Sequence, residues 1–180
     1  IHLNNYPPDD PKFQNVWKDL VSAKNLGIKV ILTVGGAGSA FQQLFSDFQN
    51  FYPLLKNTLI EFKSVIDGVD LDVEEYCTLK QIELLINTLD NDFGKDFIIT
   101  MAPVQYTLEN PNEPGMSGFL YKTLYNSPEG KRLDYFNVQA YSIYSLQSLN
   151  NMIYNGYPVE KLVMGMLTGQ DFENIQNELK

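Results

Sequence analysis

The sequence has little of the chemistry on which most metal sites and nucleophilic triads depend. Its 180 residues contain one cysteine, Cys77, and one histidine, His2. A single cysteine excludes an intrachain disulfide and a cysteine-based zinc cluster, and one histidine excludes triads and metal sites built from histidines. We therefore expect no metal and no cofactor, and we expect acid and base chemistry to depend mainly on carboxylates and tyrosines.

Basic residues and long apolar runs are also scarce. Lysine and arginine together number 13 against 22 acidic residues, which gives a net charge of -9. This charge disfavours nucleic acid and anionic membranes as partners and is compatible with a neutral substrate. No apolar run approaches the roughly 18 residues of a membrane span, and this chain shows no signal peptide. With 44% hydrophobic residues, the chain is long enough for a substantial core, so we predict one domain, or part of one, over residues 1–180.

Short β-rich runs alternate along the chain with longer amphipathic segments, a pattern typical of βαβ units and a parallel sheet. Gly27, Asn91 and Asn155 are helix stop signals. The segment 104–118, rich in Pro, Asn and Gly, is predicted to be a long irregular loop that shapes a substrate cleft. The predicted strands are 29–36, 68–73, 96–103, 134–141 and 161–167, and the predicted helices are 13–26, 47–65, 78–90, 117–127, 145–155 and 171–180.

The stretch IDGVDLDVEEY, residues 66–76, concentrates acidic residues in one predicted strand. Because side chains alternate along a strand, Asp70, Asp72 and Glu74 share one face, and the apolar residues between them share the other. Burying an acidic face against helices costs several kcal/mol by typical estimates. A closed barrel avoids this cost, because the apolar face meets the outer helices and the acidic face points towards the open C-terminal mouth. We therefore predict an α/β fold with a TIM (β/α)8 barrel.

Two other interpretations compete with a catalytic one. An EF-hand calcium loop requires glycine at its sixth position and no apolar alternation, whereas Gly68 directly follows Asp67. A solvated acidic edge strand is the second alternative, but the apolar Val69, Leu71 and Val73 favour a central strand.

The pattern D-G-x-D-x-D-x-E over residues 67–74 resembles the signature of glycoside hydrolase family 18. LTVGG (32–36), MAP (101–103) and NVQAY (137–141) resemble other strand ends of that family, in the right order along essentially the whole chain. The resemblance implies a chitinase or an endo-β-N-acetylglucosaminidase. Its substrate would be chitin or another N-acetylglucosamine-containing oligosaccharide, and we expect a secreted, extracellular monomer.

The family's mechanism gives each residue of the motif a role. It is the substrate-assisted exception among retaining glycosidases, in which the sugar's own acetamido oxygen attacks the anomeric carbon. By resemblance, Glu74 is the general acid, Asp72 hydrogen-bonds the acetamido N–H, and Asp70 shares a proton with Asp72. Tyr141 resembles the tyrosine that holds the acetamido carbonyl, with a barrel-core aromatic as its alternative role.

Further residues are assigned to substrate binding. Gln139 and Met101 are expected to line the pocket, although Met101 equally suits plain core. Gly35 and Gly36 are expected to allow close backbone approach near the cleft, which a simple tight turn would also require. Asp67 is grouped with them as part of the motif, with orientation of the strand start as its alternative role.

One observation disagrees with a complete barrel. Aligned by motif, IHLNN (1–5) is the tail of the second strand and LVMGML (162–167) is the seventh, so the first and eighth strands are absent. An eight-fold barrel takes about 250 residues, so we expect this chain to be a fragment with an open sheet. The family's eighth strand usually supplies a tryptophan floor, whereas Trp17 lies in the first predicted helix.

Two other functions stay open. A lectin-like relative would bind sugar without cleaving it, although such relatives usually lose the acid that Glu74 retains. A different barrel enzyme with an acidic, metal-binding mouth lacks supporting histidines.

Overall fold

Five parallel strands form one sheet in the computed structural model of the chain, which describes residues 1–141 and 143–167. The predicted strands are all present, although each is shorter at its ends than the sequence pattern indicates. Neighbouring strands pair in parallel in chain order. The strands are β1 Ile31–Gly35, β2 Gly68–Asp72, β3 Ile98–Met101, β4 Phe136–Gln139 and β5 Leu162–Gly165.

Helices connect successive strands. The predicted helix over 171–180 lies outside the described residues. The stop signal at Asn91 is wrong, because the helix around it continues to Phe93 and ends at Gly94, whose φ of 79° breaks the helical path. The helices are α1 Gln14–Asn25, α2 Ala40–Ser46, α3 Phe48–Glu61, α4 Leu79–Phe93, α5 Gln105–Glu109, α6 Tyr121–Asn126 and α7 Leu146–Tyr154.

Two of these helices, α2 and α5, lie where the sequence pattern predicted none. Helix α5 occupies the start of the 104–118 segment, which is therefore not irregular throughout. Helix α2 is seven residues long, and its N-cap Ser39 makes no side-chain capping hydrogen bond. Both helices are too short for a clear 3.6-residue period, so the sequence pattern does not reveal them.

The strand order β1-β2-β3-β4-β5 never reverses along the chain. Right-handed crossovers that always step to the next strand put every helix on one side of the sheet, which is the winding of a (β/α)8 barrel. Within the described residues the sheet stays open, with β1 and β5 at its edges. The fold is therefore α/β and a partial barrel, as predicted.

The N-terminal segment does not extend this sheet as a strand, so that expectation is wrong. Leu3 instead pairs with Tyr6 in an isolated antiparallel bridge. The chain reverses between them because Asn4 and Asn5 both adopt positive φ, which asparagine tolerates better than most residues.

The two faces of the sheet differ in chemistry. In the register, Leu71 of β2 pairs with Met101 of β3, which in turn pairs with Phe136 of β4. Paired residues of parallel strands point to the same face, and these side chains are fully buried in a core cluster that includes Leu85 and Leu89 of α4. Each such burial stabilises the fold by about 1.5–3 kcal/mol. The alternate residues of the strands are left for the opposite face, which carries the polar groups.

No helix in the described ranges 1–141 and 143–167 has both the length and the apolar character needed to cross a membrane.

Candidate active site

Three carboxylates lie along β2 and just beyond its C-terminal end. Asp70 and Asp72 belong to the strand, and Glu74 follows two residues after Asp72. The intervening Val69, Leu71 and Val73 are buried in the helix-facing core. The carboxylates therefore point away from the helices, as the period-two pattern predicted.

The side-chain amide of Gln139 brings two of these carboxylates together. Its Nε2 donates to Asp72 Oδ1 at 2.9 Å and approaches Glu74 Oε1 at 3.4 Å. The same nitrogen donates to the carbonyl oxygen of Ala102 at 2.8 Å, so the side chain reaches from β4 across the end of β3. Gln139 thus contacts both carboxylates at the C-terminal end of the sheet, with a good hydrogen bond to Asp72 and a weaker contact to Glu74.

Asp70 lies deeper in the sheet and is 5% exposed. Burial raises the pKa of its carboxyl group, and hydrogen bonds from the side chains of Thr100 and Asn137 act in the opposite direction. Neither Thr100 nor Asn137 was predicted from the sequence as a residue of this site. Each stands as a single polar residue between apolar neighbours in its strand, and that interruption is the signal that could have revealed them.

Asp72 has a pKa raised to about 6. Burial is the main cause, and the negative charges of Glu74 and Asp70 add to it, while the hydrogen bond from Gln139 opposes it. A carboxyl group with this pKa can hold or release a proton in mildly acidic to neutral solution. The close packing of like charges therefore creates a group that exchanges protons near the operating pH of many enzymes.

Gly35 and Gly36 end β1 directly beside Asp72. Gly36 N–H donates to the Asp72 carbonyl oxygen at 2.9 Å, and both glycines adopt positive φ. A Cβ on Gly35 would lie 2.2 Å from that carbonyl oxygen, a distance that no side chain tolerates. The expected close backbone approach therefore occurs here, and it is an approach to the strand that carries the carboxylates.

Glu75 is a third residue that the sequence pattern did not predict as part of this region. Its carboxylate is buried and accepts hydrogen bonds from the backbone N–H groups of Phe41 at 2.8 Å and Gln42 at 3.0 Å, in the first turn of α2. Period two places Glu75 on the same face as the buried Val73. A charged residue at an apolar-face position is the sequence signal for such an internal hydrogen-bonded carboxylate.

Met101 does not line this site, so its assignment to the pocket is wrong. The register pairs it with Leu71, on the opposite face from Asp70 and Thr100, and it is fully buried in the core. Its alternative role as core is the one that the structure supports.

Asp67 also lies away from the site, so its grouping with the substrate-binding residues is wrong. It precedes β2, where its carboxylate accepts the Val30 N–H at 3.0 Å and forms ion pairs with Lys24 and Lys29. Burial raises the pKa of this carboxyl group, but these hydrogen bonds and charges outweigh burial and lower it. Asp67 lies seven positions before Glu74, about 23 Å along an extended chain. Its role is to anchor the start of the strand.

Tyr141 and Trp17 occupy different surroundings. Tyr141 follows β4 by two residues and is 44% exposed, so it is not a core aromatic.

Trp17 lies in α1, stacks on Phe62 with ring centroids 4.2 Å apart, and donates its indole N–H to the Pro8 carbonyl. It therefore serves packing between the N-terminal segment and α3.

A cavity of about 490 Å³ lies at the other end of the sheet, before β3, β4 and β5. Cations line it, but Arg132 already pairs with Asp90 and Asp134, and Lys161 donates to the Leu133 carbonyl. Because these cations already have partners, the described residues do not provide the cavity with a set of converging, unpaired side chains. In the described residues, no group of three or more His, Cys, Asp or Glu side chains is placed to hold a metal ion.

Comparisons with known proteins place this geometry in context. The family model described as "Glycosyl hydrolases family 18" matches residues 2–180. Chitinase 2 of Rhizopus oligosporus is 30% identical over 138 residues, which are 72% of this chain and 23% of that protein. The chain thus spans about a quarter of the length of this curated relative.

Two solved structures of fungal proteins are similar over nearly the whole chain. A fungal endo-β-N-acetylglucosaminidase from glycosyl hydrolase family 18 is 32% identical with a TM-score of 0.86, over 99% of this chain and 67% of the other. A chitinase from Aspergillus fumigatus is 31% identical with a TM-score of 0.85, over 94% of this chain and 62% of the other.

Proposed function

Since this chain belongs to glycosyl hydrolase family 18, we propose that the full-length protein hydrolyses β-1,4 bonds between N-acetylglucosamine units, with Glu74 as general acid. Chitin or a soluble oligomer of N-acetylglucosamine is the proposed substrate. Residues 1–180 would form most of the catalytic barrel, and the enzyme would act outside the cell as a monomer.

The contact of Gln139 with both Asp72 and Glu74 is the observation that carries the proposal. Substrate-assisted hydrolysis needs one proton donor at the scissile bond and one neighbouring group for the acetamide. Glu74 and Asp72, both in contact with Gln139 at the end of β2, are two such groups. The position of Glu74 beyond the end of β2 supports its role as donor, because barrel enzymes bind substrate at this end.

In the proposed reaction, Glu74 gives its proton to the glycosidic oxygen while the acetamido oxygen of the sugar attacks the anomeric carbon. The bond to the leaving sugar breaks, and a bicyclic oxazolinium remains. Asp72 accepts a hydrogen bond from the acetamido N–H and stabilises the positive charge, with Asp70 behind it as a second proton site. Glu74 then takes a proton from water, which opens the ring with overall retention at the anomeric carbon. Tyr141 is proposed to hold the acetamido carbonyl.

A second candidate substrate is the N-glycan core, which also contains a β-1,4 bond between two N-acetylglucosamine units. The similarity to the fungal endo-β-N-acetylglucosaminidase favours it as much as the chitinase similarities favour chitin. A sugar-binding relative without activity is less well supported, because Glu74 is present and lies beside Gln139 and Asp72.

Glu74→Gln tests the proposed acid. We expect hydrolysis to fall by several orders of magnitude, with the fold and sugar binding nearly unchanged, because only the transferable proton is removed. The measurement is single-turnover hydrolysis of a chito-oligosaccharide by the full-length protein. Glu61→Gln, at the exposed end of α3, is the matched control and should keep the parent rate. Turnover by the Glu74 variant above a few per cent of the parent rate would exclude Glu74 as the acid.

Product analysis tests both mechanism and substrate. We expect the first product seen by NMR to retain the β configuration, and a thiazoline analogue of N-acetylglucosamine to inhibit, because it mimics the bicyclic intermediate. Early appearance of the α product would rule out acetamido participation. Mass spectrometry of products from chito-oligosaccharides and from a high-mannose glycopeptide, in parallel, separates the two candidate substrates.

A further inference from the structure

Glu75 follows the proposed acid directly and has a different environment. It is 7% exposed, and its two carboxylate oxygens each accept one backbone N–H, from Phe41 and from Gln42. Those N–H groups belong to the first turn of α2, where the helix supplies no intrahelical acceptor for them. One side chain therefore links the segment after β2 to the helix after β1.

The main chain on either side of Glu74 is held by further hydrogen bonds. Before it, the Asp72 carbonyl accepts from Gly36 N–H at 2.9 Å, and after it, Cys77 N–H donates to the Ser117 carbonyl at 2.9 Å. Four residues, 73–76, lie between these two points. Within that interval Glu75 makes the side-chain contacts that tie the segment to the β1 side of the mouth.

Gln139 acts on Glu74 from the opposite side. It belongs to β4, and its amide nitrogen lies 3.4 Å from Glu74 Oε1, a weak contact compared with its 2.9 Å bond to Asp72. The side-chain bond from Gln139 is therefore too long to determine where the Glu74 carboxylate sits. The backbone position of Glu74 has to come from its neighbours in the chain.

We propose that Glu75 is a positioning residue, whose two hydrogen bonds to the start of α2 set the main-chain position of Glu74 and so keep the Glu74 carboxyl group beside Gln139. Asp72 needs no such support, because it is part of β2 and pairs with Gly35 of β1. A merely structural cap would stabilise α2 without affecting the place of Glu74. An effect of Glu75 on the rate of hydrolysis rests on the proposed function of the protein. Its effect on the position of Glu74 does not.

Glu75→Gln in the full-length protein tests the geometry. The variant keeps the shape but replaces one acceptor oxygen with an NH₂ group, which cannot accept a hydrogen bond from a backbone N–H. Crystal structures of parent and variant should show Glu74 displaced from Gln139 by about 1 Å or more, a shift sufficient to affect catalysis. The contact of Asp72 with Gln139 should stay within 0.3 Å of 2.9 Å, on the order of coordinate precision, as an internal control. An unmoved Glu74 carboxylate would overturn the proposal.

Kinetics of the same variant supply the second readout. At a temperature where circular dichroism shows parent and variant fully folded, we expect kcat to fall about ten- to a hundredfold, with KM within about threefold of the parent value. Asp47→Ala is the matched control, since Asp47 caps the neighbouring helix α3 by accepting the Asn50 N–H. It should lower the melting temperature and leave kcat unchanged. A kcat of the Glu75 variant equal to that of the control would contradict the proposal.

The two readouts separate the possible failures. If the parent hydrolyses neither a chito-oligosaccharide nor a glycopeptide, the proposed function fails, and the crystal structures still decide the role of Glu75. If Glu75→Gln does not accumulate as folded protein, Glu75→Asp replaces it under the same criteria, because aspartate keeps the charge but is shorter by one methylene.

Discussion

Single side chains at the mouth of the sheet have separate tasks that their residue types explain. The amide of Gln139 donates to a carboxylate and to a carbonyl oxygen, a combination that a carboxylate in its place could not offer. Thr100 donates its hydroxyl to Asp70, which lowers the cost of a buried charge. Because these donors are neutral, they add no positive charge that would offset the raised pKa of Asp70 and Asp72.

The pKa of Asp72 has a consequence for stability. The pKa is about 6 in the folded state and 3.8 in its unperturbed form. Between pH 4 and 6 the folded state therefore binds more protons than the unfolded state, and the free energy of unfolding falls as the pH rises. Replacing Asp72 with neutral asparagine removes this loss. We expect Asp72→Asn to stabilise the protein at pH 8 by up to about 3 kcal/mol and to change little at pH 4.

Urea unfolding of parent and variant at both pH values measures this effect. Asp19→Asn, an exposed aspartate of α1, is the control and should change stability by less than about 0.5 kcal/mol at either pH. Equal effects of Asp72→Asn at pH 4 and pH 8 would show that its folded-state pKa is not raised.

Among the secondary-structure elements, the C-terminal ends of β1 and β2 pack closely because two glycines lie there. Residue Gly35 pairs with Asp72 in the register, and a side chain there would collide with the Asp72 backbone and with the ring of Phe41. Phe41 in turn donates its N–H to Glu75. Close packing at Gly35 is therefore part of the same arrangement that holds the acidic segment.

Two variants, Gly35→Ala and Gly27→Ala, distinguish the stability lost to backbone strain from the stability lost to a steric collision. Both glycines adopt positive φ, but a Cβ at Gly27 would meet nothing within 4 Å. We expect Gly27→Ala to cost about 1–2 kcal/mol of stability from strain alone. Gly35→Ala should cost about 2–3 kcal/mol more and abolish hydrolysis, because the strand carrying Asp72 has to move. Thermal unfolding measures both, and equal losses would mean that the β1 end adapts easily.

The 180-residue chain carries a net charge of -9, and the proposed substrate is neutral. A neutral ligand gains nothing from long-range electrostatic steering, whereas a cationic one would be attracted at low ionic strength. The negative charge therefore favours solubility. Neutral, N-acetylated sugars would be recognised by short-range contacts at the C-terminal end of the sheet.

Salt dependence measures this distinction. For a fully N-acetylated oligosaccharide we expect kcat/KM to change less than about twofold between 20 and 500 mM NaCl. A partially deacetylated oligosaccharide, whose free amines carry positive charge in acidic solution, should bind more weakly as salt rises. A strong salt dependence with the neutral substrate would indicate that charged groups outside the mouth take part in binding.

Several features of the fold follow from local patterns alone. The alternation from Val69 to Glu74 placed the acids and the apolar residues on opposite faces of one strand, because side-chain direction repeats every two residues whatever the strand packs against. The βαβ rhythm likewise predicted five parallel strands. The same local rule would have marked Thr100 and Asn137, which are polar between apolar neighbours, and Glu75, which falls on the apolar face of the alternation.

Other features depend on contacts between distant parts of the chain. The sequence by itself determined which residues carry protons and on which face of β2 they stand. The pairing of β2 with β3 places Met101 in the core, which only the tertiary structure decided. The tertiary structure also decided which carboxylates lie together, because the Gln139 side chain extends over the end of β3. The first turn of α2 is capped by Glu75, which accepts the N–H groups of Phe41 and Gln42 from 34 and 33 residues further along the chain. Pattern and propensity act within a few residues, whereas these partners become neighbours only when the sheet assembles.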